Sequence, residues 1–157
     1  MISFLKLPPW KVFILLIIPI YLGFINSIFS MVIGASIYFL WLFIMAISTR
    51  YLNPEEGKFS IASYILRLTL CFLYIIVISN SYKYTIPAWL IPIHLIAMIL
   101  MATCLATCAK SIVNAETQKD NTFYDSLGTF LLIWFYPIGI WFVQHRLNAL
   151  YTANKNT

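Results

Sequence analysis

The sequence predicts an all-α, polytopic integral membrane bundle of five transmembrane helices, forming a single domain over residues 1–157. Three observations predict it. The composition is 62% apolar and 17% aromatic but only 10% charged, with a mean hydropathy of +0.88, well outside the range of water-soluble domains. Residues 12–49 contain no Asp, Glu, Lys or Arg, a run too long for one crossing at ~20 residues per pass and suited to two. Further apolar stretches of span length then recur between polar punctuation. So little chain is left outside them that any function must sit within or against the bilayer.

The expected spans are about 11–25, 29–48, 60–79, 86–109 and 125–144. The first two share the uncharged run, and Asn26-Ser27 is the polar pair at which it can reverse, giving a tight helical hairpin. Lys6 and Lys11 before that run resemble the start of a signal peptide, but no small-x-small cleavage site follows and the apolar character resumes at once, so the segment is read as retained. Residues 50–58 form a polar loop in which Asn53, Pro54 and Gly57 supply turn chemistry. A short polar connection, 79–84, leads to the fourth span, where Pro87 costs little because first-turn amides have no helical partner. Residues 110–121 are polar and extend the fourth helix. Thr122 and Asp125 then have capping-box spacing, which makes Thr122 the expected N-cap of the last helix. Trp10, Tyr51, Tyr82, Tyr84, Trp89 and Tyr151 lie near span ends, where amphipathic rings favour the headgroup level.

Ten basic and five acidic residues give a net charge of +5, and with no basic cluster this charge reads as membrane orientation rather than nucleic-acid binding. With five spans, Lys6, Lys11, Arg50, Lys58, Lys110 and Lys119 fall on one side and Lys83, Arg146 and Lys155 on the other. The positive-inside rule then places the N-terminus in the cytoplasm of a bacterial inner membrane. A variant exists, four spans plus a re-entrant last segment broken at Pro137 and Gly139. It moves Arg146 and Lys155 to the cytoplasmic side and makes the bias eight to one. Charge favours the variant, while the length of the last segment favours a fifth crossing.

The segment Trp134-Phe-Tyr-Pro137-Ile-Gly139-Ile-Trp141, followed by Gln144, Arg146 and Asn148, resembles the end of a family of small uncharacterised multi-span proteins from Bacteroidota, whose members share a Trp-Phe-x-Pro-Ile-Gly-x-Trp core and then Gln-x-Arg-x-Asn. The opening Leu5-Lys-Leu-Pro-Pro-Trp10 is similar to that family's start. The resemblance implies a bacterial multi-span protein and brings no activity. His145 stands where the family carries Pro, so the resemblance assigns that histidine nothing.

Ionisable and helix-breaking residues within spans are the functional suspects. Arg67 lies about two turns into the third span; it either snorkels to the headgroups or pairs with Asp125 and pins helices three and five together. Pro137 frees a carbonyl near Ile133 and bends the last helix, while Gly139 admits a neighbouring backbone; the pair is read as packing, or as a gate or ligand notch. His94 and His145 are both expected toward the far side, as a haem-ligand pair or, more simply, with His94 bonded across a helix interface. Cys71, Cys104 and Cys108 lack the partners a metal site needs. Cys104 and Cys108, with Ala97, Ala102, Thr103, Ala106, Thr107 and Ala109, make a small-residue packing surface, and Ser30 and Gly34 make another.

No catalytic residue, cofactor or metal is assigned, since the chain lacks a nucleophile elbow, HExxH, phosphate loop or redox Cys-x-x-Cys. Glu55-Glu56 resembles the glutamate pairs of membrane proteases but, beside Gly57 in a polar loop with no histidine nearby in sequence, is read as a solvated turn. The expected function is that of a non-catalytic subunit, scaffold or regulator acting through helix packing. A small oligomeric channel or carrier is the alternative, and a haem protein or other membrane enzyme comes third. The expected partners are the lipid bilayer and other membrane subunits or further copies of the chain, with no nucleic acid. The uncharged hairpin is expected to face lipid or a partner, leaving polar work to spans three to five.

Overall fold

The computed structural model describes residues 7–22, 27–52, 60–81 and 88–155. All regular structure among them is helical: α1 (Pro9–Leu22), α2 (Ser27–Leu52), α3 (Ile61–Ser81), α4 (Leu90–Thr117), α5 (Leu127–Trp134) and α6 (Tyr136–Lys155). Three helices are long and apolar enough to cross a membrane, over Ser30–Arg50, Ile61–Ser79 and Leu90–Thr117. Five are not. The first expected span is a helix of 14 residues, only ~21 Å at helical rise. The last is split into helices of 8 and 20 residues, and the longer one carries the polar Gln144, His145, Arg146 and Asn148 through its middle.

Helices α2 and α4 share the centre, α2 touching α1, α3, α4 and α6 and α4 touching α2, α3, α5 and α6; α3 meets only α2 and α4, while α5 packs on α4 and α6 and is reached by Tyr38 of α2. The core follows from that placement. Trp41, Leu42, Met45 and Ala46 of α2 are sealed against Tyr64 of α3, Cys104, Cys108 and Ile112 of α4, and Ile140, Val143 and Leu147 of α6. The expectation that the uncharged 12–49 hairpin faces lipid or a partner is therefore corrected for its second arm. With no charged side chain before Arg50, near its end, α2 can be enclosed on several sides without burying a charge.

Helices α1 and α2 do form an antiparallel hairpin, with the reversal between Leu22 and Ser27; Asn26 lies outside the described residues, as do the loop charges between 53 and 59 and Pro87. Close approach near the tip depends on Gly34, where an added Cβ would stand 3.2 Å from the Pro19 Cβ. The Ser30 hydroxyl donates to the Pro19 carbonyl across the same contact. The small-residue step of Ser30 and Gly34 is thus used within the chain. The small face of α4 is likewise internal at Ala97, Cys104, Cys108 and Ala109, although Thr103 is exposed.

Thr122 and Asp125 form the reciprocal bonds of a capping box, yet one turn early. The Asp125 carboxylate accepts from the Thr122 amide at 2.8 Å and hydroxyl at 2.7 Å, closing the turn that precedes α5. The helix itself starts at Leu127 with Ser126 at the N-cap position. Thr122 is not its N-cap, because the turn of 123–126 intervenes.

Candidate functional site

The unusual element is the pair α5 and α6, which forms a second hairpin rather than one kinked span. Phe135 ends α5 with backbone angles of φ −90° and ψ 52°, and α6 restarts at once with Pro137 in its first turn, where the missing amide hydrogen bond costs nothing. Two contacts measure the reversal. The Arg146 guanidinium donates to the Thr129 hydroxyl at 2.7 Å although the residues are 17 apart in sequence; in a continuous helix that separation would be ~25 Å. At the tip, a Cβ on Gly139 would fall 1.6 Å from the Leu132 carbonyl oxygen. Only glycine lets the returning helix lie so close to the arriving one.

The hairpin is bonded to the bundle on three sides. At its open end Arg146 forks onto Glu116 of α4, with Nε 2.6 Å from one carboxylate oxygen and the terminal nitrogen on the other. Their side chains are 30% and 27% exposed, so the pair is shielded enough to exceed a surface bridge. Toward α1, the amide nitrogens of Gln144 and Asn148 donate to the Leu7 carbonyl at 3.2 and 3.4 Å. Near the tip, the Tyr38 hydroxyl of α2 donates to the Ile133 carbonyl at 3.2 Å, and its ring packs 5.1 Å from that of Tyr136. Ile133 is the carbonyl that lies four residues before Pro137, and α2 supplies the donor that proline lacks. Beside the tip a cavity of about 280 Å³ opens between Leu16 and Pro19 of α1, Ser30, Gly34 and Tyr38 of α2, and Tyr136 of α6.

Elsewhere the polar groups also join helices. Thr49 of α2 and Ser111 of α4 share a hydrogen bond of 2.8 Å while both are buried. Tyr64 of α3 and Cys108 of α4 share one of 2.8 Å, and both also reach the Leu42 carbonyl of α2. His94 meets the Tyr74 hydroxyl across the α3–α4 interface. The Trp41 indole nitrogen and Ser48 hydroxyl are buried without a partner among the described residues.

Several expected groupings do not form. Arg67 and Asp125 are apart: α3 and α5 do not touch, Arg67 donates from Nε to the Ser63 carbonyl at 3.2 Å, and Asp125 is exposed rather than buried. Hydrogen bonds from Thr122 hold the Asp125 carboxyl below its usual range. His94 and His145 do not converge on one plane. His145 follows α6 back to the Glu116 end of α4, whereas His94 is near the start of α4, a separation of ~33 Å along its axis. The cause is the reversal at Phe135. No group of three or more metal-ligating side chains occurs among the described residues, and the three cysteines are free and buried.

Sequence reasoning passed over Tyr38, Glu116 and Thr129, and gave Arg146 a place in the charge count and in the resemblance but no bonding partner. One signal pointed to them: the eight-to-one distribution of basic residues obtained when the last segment returns. No family model, curated protein or solved structure matches this chain.

Proposed function

We propose that the protein is an integral membrane subunit, scaffold or regulator, non-catalytic, acting through helix packing. The observation that carries this reading is the use made of its polar groups. Thr49, Ser111, Tyr64, Cys108, Tyr38, Glu116 and Arg146 are all engaged in bonding one helix to another, while α3 and α4 turn large apolar residues such as Leu66, Leu73, Leu95 and Ile99 outward. Outward apolar faces suit lipid or the helices of a partner.

In this reading α2, α3 and α4 cross a bacterial inner membrane, α1 makes a fourth, shorter crossing against α2, and α5–α6 enters from the cytoplasmic face and returns to it. Both ends of the chain are then cytoplasmic. The geometry that supports this is the shared end of Leu7, Glu116, Thr129 and Arg146, and the charge rule agrees. Irregular backbone at depth is tolerated where protein encloses it, as Tyr38 does here. Labelling with a membrane-impermeant maleimide tests the arrangement: Ala153→Cys and Ala88→Cys react from opposite sides, and same-side labelling overturns it. Purification from native membranes in mild detergent tests the function. A defined membrane partner or a self-assembly is expected, and a protein that always emerges alone and monomeric counts against the proposal.

A second reading, a small oligomeric channel or carrier, is favoured by the broken backbone at Pro137 beside the cavity. Flux into liposomes that Pro137→Ala abolishes would support it.

A further inference from the structure

We infer that Arg67 holds the phosphate of an anionic phospholipid in the leaflet at the charged end of the bundle. Arg67 is the only formally charged side chain in the window Ile61–Ser79, ~9 Å from its start at helical rise. A guanidinium stays protonated in proteins, so hydrocarbon around it demands a counter-charge. Among the described residues none is supplied: no carboxylate pairs with Arg67, Asp125 is bonded to Thr122, Asp120 pairs with Lys110, and Glu116 is taken by Arg146. Its one intramolecular bond, from Nε to the Ser63 carbonyl, leaves both terminal nitrogens available and neutralises no charge.

The same bond aims the side chain. Ser63 is one turn nearer the start of α3, so the guanidinium bends toward the headgroup level at that end, the direction helical side chains favour. Arg67 is half-buried at the edge of the bundle, with the exposed Ser63 and Leu70 on its outer side and the buried Tyr64 and Cys71 on its inner side, on a helix that touches only α2 and α4. What reaches this face from the bilayer is lipid, and its anionic group at that level is a phosphate. The planar fork matches two phosphate oxygens. A net-negative lipid balances the charge where a zwitterionic one does not, and the cytoplasmic leaflet, where the proposed orientation places this end, is the one rich in such lipids. The leaflet therefore rests on that orientation; the pairing rests on Arg67 alone.

Native mass spectrometry of the full chain, released from nanodiscs of phosphatidylcholine mixed with phosphatidylglycerol, tests this. The wild type is expected to retain one phosphatidylglycerol in preference to phosphatidylcholine. Arg67→Gln is expected to lower that retention about tenfold and Arg67→Lys to lower it less, because an ammonium keeps the charge but loses the fork. Lys119→Gln, which removes a charge at the same end, is expected to leave it unchanged. Equal retention of the two lipids by the wild type overturns the proposal without any mutant, and so does an Arg67→Gln protein that keeps its phosphatidylglycerol. Displacement by inorganic phosphate assigns the site to free phosphate and overturns the lipid. Reversed cysteine labelling with retention intact overturns the leaflet and the orientation together but leaves the pairing standing.

Discussion

The two hairpins solve one problem in different ways. Each pairs helices of which one is too short to cross a bilayer alone: α1, with 14 residues, leans on α2, and α5, with 8, leans on α6. The α1–α2 hairpin is held mainly by apolar contact, with Gly34 against Pro19 and Val12 and Leu16 buried. The α5–α6 hairpin is held by directed polar bonds to Leu7, just before α1, and to α2 and α4. The difference follows from their sequences. An uncharged segment is stable wherever apolar surface is available, whereas a segment carrying Arg146 and a proline break needs named partners for its charge and its freed carbonyl.

The contrast is tested most severely at the glycines. Gly139→Ala puts a Cβ into the Leu132 backbone, which cannot yield as a side-chain tip can, so a loss of about 3 kcal/mol or failure to fold is expected. Thermal unfolding in detergent measures it. Arg146→Ala leaves Glu116 shielded and unpaired and is expected to cost about 2 kcal/mol. A double-mutant cycle with Glu116→Gln should recover most of that as coupling, and additive losses would deny the clamp. Tyr38→Phe removes one hydrogen bond, at about 1 kcal/mol. In the apolar hairpin Gly34→Ala should cost less than about 1 kcal/mol, because the Pro19 ring can shift by a few tenths of an ångström. A Gly34 effect as large as that of Gly139 would erase the distinction between the hairpins.

The smallest expected effect is a pH dependence at the entry to α5. The Asp125 carboxyl is held below its usual range by the Thr122 bonds. A group depressed in the folded state stabilises above its unfolded pKa and loses that contribution as pH falls through the folded value. Unfolding temperature should therefore dip on acidification below the normal carboxylate range, and Asp125→Asn should remove that component. Because the side chain is exposed, the dip is expected to be slight.

Much of the architecture was legible. The uncharged run predicted a hairpin and the hairpin exists; the capping box of Thr122 and Asp125 was read correctly as chemistry and misplaced by one turn, since spacing shows which residues bond without showing which turn they close. Pro137 and Gly139 were recognised as a break and a close approach. What spacing could not convey was the angle at Phe135. A kink and a reversal carry the same residues, and they part only through contacts such as Arg146 with Thr129 and Glu116, residues far apart in the chain. The reading of Arg67 with Asp125 failed for the same reason, because helices three and five were treated as neighbours.

Composition and charge pattern were enough to predict an all-helical chain with helices long and apolar enough to cross a membrane, because burying apolar surface and satisfying the backbone inside each segment are local requirements. Which helices took the centre, which carboxylate met Arg146, and that the last segment turned back were settled by packing. Those outcomes depend on free-energy differences between whole arrangements of the same helices, and no local stretch of sequence contains them.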